Sequence, residues 1–164
     1  MKIELADIDK LQVSDDEIRD LLYGVYVRAG FTDATRAAKL FDPVSVRQRG
    51  YILAARDIEH SRLAGMVILV SPQSPACKLA KANEAEIHLL GVKEEYRGNG
   101  VAKKLVIKIV EKARAEGFTR LILWTQPAML AAQRLYEGLG FVQYDTMSIG
   151  GRDFKVYQKP LNDI

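Results

Sequence analysis

The chain has 164 residues, a formal net charge of +3 and a single cysteine, Cys77. That length suits one domain, 1–164, with one sizeable core, the small charge gives no ground for a nucleic-acid partner, and a lone cysteine excludes an internal disulfide and a cysteine-based metal cluster. No apolar run reaches membrane-spanning length and Met1-Lys2-Ile3-Glu4 lacks the apolar stretch of a signal peptide, so a cytoplasmic protein with no membrane partner is expected.

In chain order, a strand is expected near Lys2 to Ala6. Ser14 and Glu17 form a capping box opening a helix that runs to about Ala29 and stops at Gly30. A second helix is expected over Asp33 to Phe41; Pro43 breaks it, and a short helical turn follows over Val44 to Arg49. Tyr51 to Ala55 and Leu63 to Val70 read as strands joined by the polar turn Asp57 to Arg62, which leaves His60 facing solvent. The segment Ser71 to Glu84, with Pro72 and Pro75, is long for a hairpin connection, and loops of that length tend to be mobile or functional. Cys77 falls within it with no histidine beside it in sequence, which disfavours a nucleophilic role.

A strand from Ala85 to Val92 leads into a helix whose apolar face is Val101, Leu105, Val106, Ile109, Val110 and Ala113, ended by Gly117. Strand Arg120 to Thr125 is followed by Pro127 and a helix to about Leu139, closed by Gly140. Phe141 to Ser148 and Phe154 to Lys159 then make a terminal hairpin around Gly150-Gly151. The order β-α-α-β-β-β-α-β-α-β-β suits an α/β fold with a mixed sheet.

The most informative stretch is Arg97-Gly98-Asn99-Gly100-Val101-Ala102, between the central strand and its helix. The glycines let the backbone turn its N–H groups inward, and the helix start adds the positive end of its dipole. Lys103 and Lys104 occupy the first turns and no carboxylate appears in the helix before Glu111, although acids at a helix start are favoured by roughly 0.3–1 kcal/mol each. That excess of cations fits a polyanionic ligand; two merely solvated lysines are the plainer alternative. The glycine spacing fits neither a dinucleotide fingerprint nor a Walker loop.

The run Leu90 to Ala102 resembles the acyl-CoA pyrophosphate motif, Arg/Gln-x-x-Gly-x-Gly/Ala, of the GNAT superfamily of N-acyltransferases. Ala132-Gln133-Arg134-Leu135-Tyr136-Glu137-Gly138-Leu139-Gly140-Phe141 is similar to that family's later motif, in which a helix ends in Leu-Tyr-x-x-x-Gly-Phe. The resemblance covers Ala85 to about Val142 well and the first eighty residues only in general layout. It implies a GNAT-like central mixed sheet with helices on both faces, and acetyl-CoA as cosubstrate. Its implied contacts are Leu90, Gly91, Val92, Arg97, Gly98, Asn99, Gly100, Val101 and Ala102. It further implies that the strands Glu86 to Val92 and Arg120 to Thr125 splay apart to admit the pantetheine arm, with a free N–H near Leu90 facing the thioester oxygen. Gly91 suits a bulge beside a ligand. In place of an asparagine often found three residues before the position of Ala132, this chain has Met129; Gln126 could replace that contact only if its loop bends back.

By the same resemblance Tyr136 meets the departing CoA thiolate; read from spacing alone, it shares the helical stripe of Ala132, Leu135 and Leu139 and is a core residue. The acceptor must lose a proton, at a cost of about 4.6 kcal/mol for a lysine-like amine at pH 7 and about 1 kcal/mol for an α-amino group. Glu86 and His88 alternate with Ile87, are expected on one face with Leu90, and are candidate bases; a structural hydrogen-bonded pair explains them equally well.

The expected activity is therefore transfer of an acetyl group from acetyl-CoA, by direct attack, to a primary amine of a small molecule, amino acid or peptide. An acyl-CoA-binding module without turnover and an acyltransferase for a larger group are the alternatives. The acceptor pocket falls on the segments that match least, where Asp33, Asp42, Glu84 and Asp145 are candidate amine partners, and the terminal strands leave homodimerisation open.

Overall fold

A computed structural model describes residues 1–161 of the chain. Its strands are β1 (Ile3–Asp7), β2 (Tyr51–Asp57), β3 (Arg62–Val70), β4 (Glu84–Val92), β5 (Arg120–Thr125), β6 (Val142–Ile149) and β7 (Arg152–Pro160). They form one sheet in the order β1-β2-β3-β4-β5-β7-β6, in which only β4 and β5 run parallel. The β6–β7 turn fits its residues, since Gly150 (φ 58°) and Gly151 (φ 79°) both take the positive φ that a tight hairpin turn demands.

Helix α1 (Asp15–Leu22) starts with the capping box foreseen for Ser14 and Glu17, whose side chain and backbone groups satisfy each other reciprocally. The α-helix is shorter than its pattern suggested. From Tyr23 to Val27 the ladder widens to a π-turn, with the Arg28 N–H donating to the Tyr23 carbonyl, before Gly30 ends it at φ 81°. Asp33 caps α2 (Ala34–Leu40). Pro43 does not merely end that helix: with Asp42 as cap it occupies the first position of a further helix, α3 (Pro43–Gln48), where its missing N–H costs nothing.

Helices α4 (Val101–Ala115) and α5 (Leu130–Gly138) cover the opposite face of the sheet. The stripe expected on α4 is buried, with Leu105, Val106, Ile109 and Ala113 fully covered; each large aliphatic member stabilises the fold by about 1.5–3 kcal/mol. One core joins Leu53, Val67, Ile87 and Leu121 to α4 and α5. The other joins Ile52, Met66 and Ile68 to Ile18, Leu21, Phe41 and Val46 of the first three helices. Two corrections concern the turn after β2. Asp57 belongs to the strand, and it is buried, 1% exposed; its Oδ2 accepts the Tyr96 hydroxyl at 2.7 Å and its Oδ1 accepts the N–H groups of Glu59 and His60.

Two irregularities of β4 create the space for a site. It pairs with β5 only through Glu84, Ala85 and Glu86, opposite Arg120, Leu121 and Ile122, after which the two strands part. Against β3, Met66 faces Gly91 and Ile68 faces His88, so Val67 opposes both Leu89 and Leu90. This is a bulge, centred on Leu89 at φ 51° rather than on Gly91 as expected. The extra residue also reverses the side-chain alternation. Leu89 packs with the first three helices and Leu90 with α4 and α5, so Leu90 lies on the face opposite Glu86 and His88, not beside them.

Candidate active site

The wedge between β4 and β5 opens into a cavity of about 990 Å³. One end is the turn before α4. Gly98 (φ 78°) and Gly100 (φ 74°) adopt the left-handed conformation, and a Cβ on either would meet no atom within 4 Å. The Asn99 side chain donates to the carbonyls of Tyr96 (3.2 Å) and Arg97 (3.1 Å), which holds the turn. The N–H groups of residues 98–102 have no partner among the described residues, and Gly100 caps α4 without a side chain. Arg97 and Lys103 line the same end and form no ion pair among the described residues. Unpaired amides, a helix dipole and two cations together form a cradle that can hold an anion.

Past the cradle, the β5-facing side of β4 lacks a strand partner from Ile87 onward. Arg97 Nε donates to the Val92 carbonyl (3.2 Å) and the Tyr26 hydroxyl to the Leu90 carbonyl (3.1 Å), which fixes the backbone of the strand beside the cavity. Gly91 has a packing role: a Cβ there would come within 3.1 Å of Val25 in the π-turn. Tyr136 of α5 lines the cavity, packs edge-on against Phe141 with centroids 5.6 Å apart, and makes no side-chain hydrogen bond among the described residues. Burial, then the nearby Tyr26, pushes its phenol far above the usual tyrosine range, so it stays protonated and able to donate.

Glu86 and His88 are both buried, on the face of the first three helices. Glu86 accepts the backbone N–H groups of Lys78 (3.0 Å), Leu79 and Ala80 (2.7 Å), and its Oε1 is 2.7 Å from His88 Nε2. Burial raises the carboxyl, but the His88 bond and the three amides outweigh it and hold its pKa down at about 2. The carboxylate thus anchors the 71–84 loop and is fully engaged. Because an ionised carboxylate only accepts, it holds a proton on His88 Nε2, and the His88 side chain lines the cavity. Trp124 meets the imidazole edge-on at 5.0 Å and fixes its plane.

Residues outside the sequence motifs complete the site. The Gln126 side chain donates to the Phe31 carbonyl at 2.8 Å, and so ties β5 to the α1–α2 connection instead of turning toward the cradle. Met129 Sδ accepts the Thr125 hydroxyl, and buried Gln133 ties α5 to the turn before it by donating to the carbonyls of Gln126 and Pro127. Asp33 and Asp42 are engaged as helix caps, Glu84 pairs with Arg120 at 2.8 Å, and Asp145 bonds the Thr146 N–H. None of these four lines the cavity. Tyr26, Arg49 and Arg152, which do, belong to no local motif and are brought in by tertiary packing alone.

A model of the acetyltransferase (GNAT) family matches residues 15–141, and the chain belongs to that family. N-alpha-acetyltransferase 30 of Saccharomyces cerevisiae is 41% identical over 61 residues, which is 37% of this chain and 35% of the relative. The chain therefore matches only about a third of that protein's length. Among solved structures, an acetyltransferase of the GNAT family from Staphylococcus aureus Mu50 aligns with a TM-score of 0.77 and 16% identity over 98% of this chain and all of the other. The PaiA N-acetyltransferase of Thermoplasma acidophilum, solved in complex with coenzyme A, aligns with a TM-score of 0.68 and 21% identity over 98% of this chain and 99% of the other. These two likenesses establish the fold. No helix among the described residues is long and apolar enough to cross a membrane.

Proposed function

We propose that this protein is an acetyl-CoA-dependent N-acetyltransferase in which a primary amine attacks the acetyl thioester directly. The observation that carries this reading is the alignment, along one cavity, of an unpaired N–H cradle, a strand edge without a strand partner and a tyrosine hydroxyl. The residues fit the cosubstrate: the amides of 98–102 with Arg97 and Lys103 take the pyrophosphate, and the backbone of β4 around Leu90 to Val92, where β5 no longer pairs with it, takes the amide-bearing arm. Acetyl-CoA supplies the activated acyl group.

His88 is assigned as the base that accepts the amine's proton, directly or through one water, and Glu86 as the residue that positions it. A backbone N–H of the β4 bulge is assigned to the developing oxyanion, a contribution on the order of 2.7–4 kcal/mol for a preorganised donor. When the tetrahedral adduct collapses, Tyr136 faces the thiolate. Since burial raises the phenol above its ordinary value, already less acidic than a thiol, a donated hydrogen bond is favoured over complete transfer.

Calorimetric titration with acetyl-CoA, followed by thiol release across a panel of amines, tests the reading. Binding with turnover on at least one amine is expected. No binding overturns the cradle assignment, and tight binding without turnover on any amine would mark a binding module instead.

A further inference from the structure

We infer that the acceptor carries its own anion: it is a free amino acid with an apolar or aromatic side chain, whose carboxylate is held by Arg49 and Arg152. This deepens the acetyltransferase reading and rests on it. The first ground is the sign of the cavity. Among the described residues no aspartate or glutamate lines it, whereas Arg49 and Arg152 do, and neither belongs to the phosphate cradle. A cavity built to attract a bare ammonium group by charge would carry the opposite sign.

The second ground is the state of those two arginines. Both are half-buried, and neither has a carboxylate within ion-pair distance among the described residues. Arg49 donates Nη2 to the Leu40 carbonyl at 2.6 Å, and Arg152 donates Nη1 to the Phe31 carbonyl. Each bond fixes the plane of a guanidinium while leaving most of its five donors free. Burial also lowers Arg49 from the usual guanidinium range, the signature of a cation lacking its counter-ion. A planar carboxylate is the natural bidentate partner for such a fork.

The third ground is the apolar wall around it. Phe31, Phe41, Trp124 and Phe154 line the same cavity, and the Phe41 ring packs against Tyr26, tilted by 31° with centroids 5.2 Å apart. Tyr26 connects the two functions, because its hydroxyl bonds the Leu90 carbonyl in the wedge while its ring lies within the field of Arg49. A carboxylate at Arg49 would therefore lie beside Tyr26, whose hydroxyl reaches the β4 end of the cavity.

The test is steady-state transfer from acetyl-CoA to phenylalanine, leucine, their carboxamides, phenethylamine and a dipeptide with an acidic second residue. The free amino acids should exceed the carboxamides and phenethylamine by on the order of 10²-fold in kcat/KM. Arg49→Met should abolish that preference through KM, with acetyl-CoA affinity by calorimetry reporting an intact fold. Arg152→Gln, which keeps a donor to Phe31, serves if Arg49→Met does not fold. Carboxamides or phenethylamine equal to the amino acids, the dipeptide as the best acceptor, or transfer to none of the panel each overturns the inference. Failure of acetyl-CoA to bind the unaltered protein is a different result, which removes the acetyltransferase reading itself.

Discussion

Tyr136 shows how one side chain satisfies two demands. Its ring packs against Phe141 in the α4–α5 core, yet its hydroxyl makes no hydrogen bond among the described residues and the side chain lines the cavity. A buried phenol normally finds a partner, and in the proposed reaction that partner is the leaving sulfur. Tyr136→Phe keeps the packing and removes only the hydroxyl, so kcat should fall by about 10²-fold while acetyl-CoA affinity measured by calorimetry stays the same. Equal turnover in the two proteins would return Tyr136 to a packing role. His88 is tested differently, since its proposed task is to take the amine's proton. His88→Gln should lose most of the activity at pH 7 and regain part of it as pH rises and the amine loses its proton unaided, whereas loss of a merely structural histidine would lower the whole profile without changing its shape. The cradle responds at the level of the backbone. Gly100→Glu forces a side chain into the left-handed region and puts a negative charge where the phosphates are expected, so binding of acetyl-CoA should be lost while the far-ultraviolet circular dichroism spectrum is retained.

At the scale of elements, β4 sets the geometry, and it was legible only in part. Its strand character, the glycine turn after it and the apolar stripe of α4 follow from local pattern, because each depends on neighbours within a few residues. The bulge does not. Which residue of β4 is extra depends on the register against β3, a pairing between segments some twenty residues apart, so Leu89 in the left-handed region left no local signal. The same holds for Glu86: its alternation with Ile87 was visible, but the three amides that engage it come from a loop whose course is fixed only by tertiary contacts. Arg49 and Arg152 were invisible for this reason too. Gly65 gives the bulge a testable consequence. A Cβ there would sit 2.9 Å from the Gly91 carbonyl and 3.2 Å from both Leu105 and Val92. Gly65→Ala should therefore destabilise the protein by about 1–3 kcal/mol, read by urea unfolding, because β3 cannot move from β4 without disturbing the packed α4 face.

Over the whole molecule, two buried carboxylates join parts of the chain that no helix or strand connects. Asp57 links the end of β2 to Tyr96 ahead of the cradle, and Glu86 links β4 to the 71–84 loop at the wall of the cavity. The Tyr96 hydroxyl and then His60 hold Asp57 at about 2 against the opposing effect of burial, compared with an ordinary 3.8; Glu86 is held at about 2, compared with 4.5. A carboxyl whose folded pKa lies below its unfolded one stabilises the native state fully above the unfolded value, and loses that contribution as pH falls toward the folded value. Stability should thus be level at neutral pH and decline from about pH 4.5 down to about pH 2. The tyrosines act with the opposite sign. Burial is the main cause that raises Tyr26 and Tyr96 from 10.0 to about 12, so their contribution is complete below pH 10 and is lost as pH rises through 12. Thermal unfolding across pH measures both limbs. Glu86→Gln and Asp57→Asn should each lower stability at pH 7 and flatten the acid limb, because the group that had to be protonated is gone. The two variants should differ in one respect: Glu86→Gln releases the loop that shapes the cavity and lowers activity as well, whereas Asp57→Asn, which does not line the cavity, should cost stability with little change in kcat. An acid limb unchanged in both variants would mean that other carboxylates govern the acid response of the fold.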